Sequence, residues 1–129
     1  MKFARLGFAI VILFLFCFIS QASAYRVEVR NPTDHTVEVG LYVVVNMYGE
    51  MEIREATISP HTFHVFKTGM QCPFALEGRI QGHVIRPTCM GPQAEDISSI
   101  HSCWPNCQKS SWVIFQRYDG DWHFGELYQ

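Results

Sequence analysis

The chain has 129 residues, is 48% hydrophobic and 14% aromatic, and carries a formal charge of −2 at pH 7 with its six histidines neutral. That apolar content excludes an intrinsically disordered chain, and the slightly acidic balance excludes the basic stripe with which a domain grips nucleic acid. No nucleic-acid partner is expected.

The N-terminus opens with Lys2 and Arg5, runs through Leu6 to Ile19 without a charged side chain, and closes on Ser20-Gln21-Ala22-Ser23-Ala24. Basic, apolar and small-residue segments in that order make a secretory signal peptide over residues 1–24, with Ala22 and Ala24 supplying the small side chains before a cut at Tyr25. The apolar run of about 14 residues is shorter than the roughly 20 that cross a bilayer, so no stable membrane anchor is expected after cleavage. Cys17 follows Phe16 rather than a small residue, which argues against a lipidated cysteine.

Residues 25–129 then form a single domain of ordinary size. Loss of Lys2 and Arg5 leaves eight basic against twelve acidic residues, a formal charge of −4. Cys72, Cys89, Cys103 and Cys107 remain, and an even number of cysteines in an exported domain implies two disulfides and a secreted or periplasmic destination. Pro32 disqualifies Asn31-Pro32-Thr33 as a glycosylation acceptor.

Along this domain apolar residues recur with period two, so the fold is expected to be all-β. Tyr25 to Arg30 places Val27 and Val29 inward, and Asn31-Pro32-Thr33-Asp34 is turn chemistry. From Thr36, Val37, Val39, Leu41, Val43, Val45 and Met47 share one face of the best-patterned strand. Tyr48-Gly49-Glu50 marks a turn, Met51 to Ile58 a strand, Ser59 to Thr62 a turn, and Phe63 to Phe66 a further strand. Phe74 to Ile85 reads as one strand with Phe74, Leu76, Ile80 and Val84 on its apolar face, where Gly78 and Gly82 mark bulges.

Periodicity fails between Arg86 and Ser111, where prolines and three cysteines crowd a long loop; residues 93–101 could add one short helix, with Ile97 and Ile100 on one face. Asp119-Gly120 between apolar alternations predicts a terminal hairpin. The expected architecture is a small antiparallel β-sandwich or partly open barrel of six or seven strands.

Disulfide pairing is open at this point. The local arrangement, Cys72 with Cys89 and Cys103 with Cys107, is the expectation, and Cys72 with Cys107 together with Cys89 and Cys103 is the alternative. His101, Cys103 and Cys107 also offer an imidazole and two thiolates within seven residues, a donor set for copper or zinc. Oxidation on export favours the disulfide reading, and no cofactor is expected.

His61 and His64 lie three apart, a spacing that points strand side chains to opposite faces. Neither Gly-x-Ser-x-Gly nor His-Glu-x-x-His is present, and no phosphate-binding glycine loop occurs, so an enzyme is not expected. A small secreted hydrolase would need Glu or Asp to meet His in a cleft formed by the fold.

What remains is recognition. Trp104, Pro105 and Asn106 sit inside the cysteine-rich loop, where a constrained aromatic side chain is a natural contact residue. The chain is therefore read as an exported, non-catalytic module that engages an unknown protein or cell-surface ligand through loop 86–111. Trp112 and Trp122 are expected in the core or as a cross-strand pair.

Overall fold

A computed structural model describes residues 25–90 and 103–127. Among these there is no helix; eight strands form one nearly closed, barrel-like sheet. They are β1 (Tyr25–Asn31), β2 (Val37–Val44), β3 (Met51–Ile58), β4 (Thr62–Gly69), β5 (Cys72–Ile80), β6 (His83–Cys89), β7 (Ser110–Gln116) and β8 (Trp122–Leu127). Their order across the sheet is β3-β2-β5-β6-β8-β7-β1-β4. The signal segment and the expected helical turn at 93–101 lie outside the described residues.

The strand count exceeds the expected six or seven because the segment from Phe74 to Ile85 folds back on itself. Gln81 and Gly82 both take positive φ, 52° and 78°, which is the backbone of a two-residue hairpin turn matched to strand twist. The reversal also changes which residues face inward: Ile85 is buried, whereas Val84, expected on the apolar face, is 59% exposed. Gly78 does mark an irregularity, since the β5–β6 register shifts between Leu76 and Gly78.

The sheet is not wholly antiparallel as expected. The β7–β8 hairpin is antiparallel within itself but enters the sheet with β8 beside β6 and β7 beside β1, and both of those contacts are parallel. β8 lies between β6 and β7 in the sheet, and β7 begins twenty-one residues after β6 ends.

Alternation works as sequence periodicity demands. Val27, Val29, Val37, Val39, Leu41 and Val43 point inward with Trp112, Ile114, Leu76 and Phe124, and all are buried in one core. Removing such surface from water, at about 25 cal/mol per Å² of apolar area, is the main stabilising term. Two edge strands remain, β3 and β4. Glu52, Arg54 and Glu55 on β3 and Lys67 on β4 supply the charge that discourages pairing with other chains.

Several polar residues are buried with this core, and one of them ties its segments together. Asn31, 1% exposed, donates through Nδ2 to the carbonyls of His35 and Ile58 and accepts at Oδ1 from the backbone N–H and the hydroxyl of Thr33. It joins the β1–β2 turn to the end of β3. Together with the β5–β6 and β7–β8 turns, these segments make one end of the barrel; the opposite end carries both disulfides.

Candidate functional site

The disulfide end gathers the start of β5, the end of β6, the β2–β3 turn and the β4–β5 turn. Val44 at the end of β2 pairs with Met51 on one side and Cys72 on the other. Cys72 bonds to Cys107 and Cys89 bonds to Cys103, with Cα separations of 4.6 and 5.2 Å. The expected local pairing is thus corrected to the crossed one.

The reason lies in strand register. Cys89 stands opposite Ala75, three residues along β5 from Cys72. At about 3.3 Å per residue that offset alone is near 10 Å, beyond the span of a disulfide. Segment 103–107 resolves it by crossing both strands, and the Asn106 backbone N–H donates to the Pro73 carbonyl at 2.8 Å.

This pairing also bears on metal binding. Cys103 and Cys107 are both oxidised, so neither offers a thiolate, and the donor set of His101, Cys103 and Cys107 is corrected accordingly. His101 lies outside the described residues. Two disulfides in one small domain indicate an oxidising compartment, extracellular or periplasmic.

Of the predicted contact residues, Trp104 is 71% exposed and Pro105 is exposed as well, while Asn106 is half-buried and tied to β5 through its backbone. Trp112 is fully buried, and its indole N–H donates to the Ser110 hydroxyl at 2.9 Å. Trp122 packs partly buried against the core. The two are not cross-strand partners, because Trp112 faces Glu126 and Trp122 faces Gln116.

Three further exposed residues share the end with Trp104. Met47 is 100% exposed, Tyr48 92% and Met70 81%. Sequence periodicity had placed Met47 on the core face of β2. The strand instead stops at Val44, since the side-chain Oδ1 of Asn46 accepts the backbone N–H of Tyr48 and of Glu50 and closes a turn. Asn46 was the available signal: its side chain competes for backbone donors and interrupts a ladder.

A second feature is a cleft of about 500 Å³ on the outer face of β2, β3, β5 and β6. Gly40 lies at its floor, in register with Glu55 on β3 and Glu77 on β5. Glu38 and Arg79 share the wall. Tyr42 lies along the same face, and burial, a hydrogen bond with Glu77 and the charges of Glu77 and Glu55 all push its phenol upward. No histidine lines this cleft among the described residues, so the carboxylates lack the partner that the hydrolase reading requires.

The turn end does bring acid and histidine together. His61 Nε2 lies 2.6 Å from Asp34 and His35 Nδ1 lies 3.0 Å from Gln81, beside a cleft of about 770 Å³ whose wall includes His83 and Asp121. Those imidazoles contact a solvated carboxylate and an amide rather than a nucleophile, and acyl transfer of the triad type needs the latter. Nearby, the ligand atoms of Asp119, Asp121 and His123 lie within 4.8 Å of one another. Asp121 already accepts from the Arg86 guanidinium at 2.7 Å, and Asp119 accepts the Asp121 backbone N–H. A cation would have to displace a charge-assisted bond there.

Comparison with known proteins adds little. No protein-family model and no curated protein matches the chain. A solved NMR structure of a protein from Eubacterium rectale is similar with a TM-score of 0.48 at 13% identity, over 83% of this chain and 91% of that one.

Proposed function

We propose that the chain is exported by a cleaved signal peptide, with residues 25–129 acting as a non-catalytic module that engages a protein or cell-surface ligand with its disulfide-clamped end. The observation that carries this reading is Trp104, 71% exposed on a five-residue segment whose first and last residues are each bonded to a different strand. An aromatic side chain held in that way loses little freedom on binding, so more of its contact energy survives as affinity. Such anchors dominate interfaces when surrounding contacts exclude water.

Met47, Tyr48 and Met70 extend the same surface. Methionine side chains are flexible and polarizable and adapt to a partner's shape, whereas Trp104 supplies a fixed point. Loops on a rigid β scaffold are where recognition is usually placed.

The test uses protein purified from the exported fraction. Mass spectrometry should give a chain beginning at Tyr25 with all four remaining cysteines oxidised; a retained leader or free thiols would refute the export reading. Fluorescently labelled protein should bind intact cells of the source organism saturably, and Trp104→Ala should weaken that binding about tenfold, the loss corresponding to one good contact of about 1.4 kcal/mol. Equal binding by both proteins, or none by either, would count against this surface.

A further inference from the structure

We propose that the disulfide-clamped end seats in the interfacial layer of a phospholipid bilayer, with Trp104, Tyr48, Met47 and Met70 as its contact residues. The inference rests on the export reading above and names the surface that this end meets.

Four observations converge. The exposed apolar residues sit on three separate loops, and none of them lines either of the two clefts described above. They are spread over separate loops rather than lining a groove, an arrangement that a soft interface accommodates without a matching surface. Their chemistry fits as well, because tryptophan and tyrosine present an apolar body with a polar tip and collect where hydrocarbon meets water.

The position of the leader is the third observation. Tyr25 pairs in register with Gly69, the residue before Met70, so the junction between the apolar leader and the domain lies at this same end. Before cleavage, a leader in the export membrane therefore enters the domain beside the Met70 turn.

Charge is the fourth. Once the leader is removed the formal charge is −4, and Glu50, beside Tyr48, is engaged by the Asn46 amide at 2.7 Å. The overall charge gives no net attraction to anionic headgroups, so the contact is expected as apolar insertion at a zwitterionic surface.

The experiment mixes the processed protein with small vesicles of phosphatidylcholine and follows sedimentation and tryptophan emission. Trp112 is buried and Trp122 half-buried, so Trp104 dominates the solvent-sensitive signal. Lipid should shift emission to shorter wavelength and protect Trp104 from iodide, a readout that needs no variant. Combined Trp104→Ala and Tyr48→Ala should lower the partition coefficient about tenfold, near 1.4 kcal/mol. Tyr118→Ala, which removes an equally exposed aromatic ring at the turn end, should leave it unchanged.

Absence of partitioning by the unaltered protein would overturn the inference, as would equal partitioning by the double variant. Binding confined to anionic vesicles and abolished near ~0.5 M salt, where the Debye length is only a few Å, would also overturn it. If vesicles are ignored while Trp104-dependent binding to cells persists, lipid is excluded and a protein or glycan ligand is retained. A retained leader or free thiols would bring down both readings together.

Discussion

Cys89 stands opposite Ala75 in the β5–β6 ladder, and that register decides how the cysteine-rich segment is tied down. Cys89 meets Cys103, and Cys72 is left for Cys107, 35 residues further along the chain. The segment carrying Trp104 is therefore fixed across two strands and cannot swing as a small loop closed on itself.

The pairing is directly measurable. Cleavage of the unreduced protein after Arg79, Met90 and Lys109 should leave the Cys72 peptide, the Cys89 peptide and the peptide holding Cys103 and Cys107 joined in one product. The local pairing would release the last of these. Loop-closure entropy puts the longer crosslink at about 4 kcal/mol and the shorter at about 3, so urea midpoints should fall more for Cys72→Ser with Cys107→Ser than for Cys89→Ser with Cys103→Ser.

Two tryptophans should behave oppositely when truncated. Trp112 is fully buried and hydrogen-bonded to Ser110, so Trp112→Ala should cost about 3–5 kcal/mol through lost burial and the cavity left behind. Trp104→Ala should change stability by less than about 0.5 kcal/mol, as for other exposed sites. Comparable losses at the two positions in equilibrium unfolding would show that Trp104 is part of the core.

Much of this fold was legible in local pattern. Val27 and Val29 in β1, the inward row from Val37 to Val43, and the Asp119-Gly120 hairpin follow from period two and turn chemistry. Gln81-Gly82 was missed because Gly82 resembles a strand bulge until Ile85, rather than Val84, is known to face the core. The cysteine map was beyond local pattern for a different reason. It depends on a register that is set by the β5–β6 turn and by the shift between Leu76 and Gly78, and neither is visible in cysteine spacing. Trp104 was marked in sequence by its place between Cys103 and Cys107 and is exposed, whereas the exposure of Met47 became visible only once the β2 ladder was seen to stop at Val44, and that of Met70 only once the β4–β5 turn was placed.

Glycines at two strand positions should differ in tolerance. A methyl group on Gly78 would lie 2.7 Å from the Glu38 carbonyl oxygen, a backbone atom that cannot rotate away, and close to Ile85 and Phe124. Gly78→Ala should destabilise by about 2 kcal/mol or more through overpacking. At Gly40 the nearest atom is the Ile53 methyl at 2.8 Å, on a side chain that is 37% exposed and free to move. Gly40→Ala should be within about 1 kcal/mol of neutral, because alanine also relieves the entropy cost of glycine in a strand. Matching urea midpoints for the two variants would refute the assignment of Gly78 as the tight position.

Tyr42 supplies a pH dependence whose direction is fixed by its surroundings. Burial comes first, then the hydrogen bond and charge of Glu77 and the charge of Glu55, and together they raise its pKa above the usual 10.0. The folded state therefore holds the phenolic proton more tightly than the unfolded state does. The associated stability is complete below the unfolded pKa and is lost as pH rises through the folded one. Unfolding midpoints should fall as pH rises past the usual tyrosine value of 10.0, and Tyr42→Phe should flatten that fall. Glu77→Gln, which removes both the charge and the carboxylate acceptor, should bring the Tyr42 absorbance titration down toward the usual value of 10.0. An unchanged titration in Glu77→Gln would refute the part assigned to Glu77 and leave burial as the source of the shift.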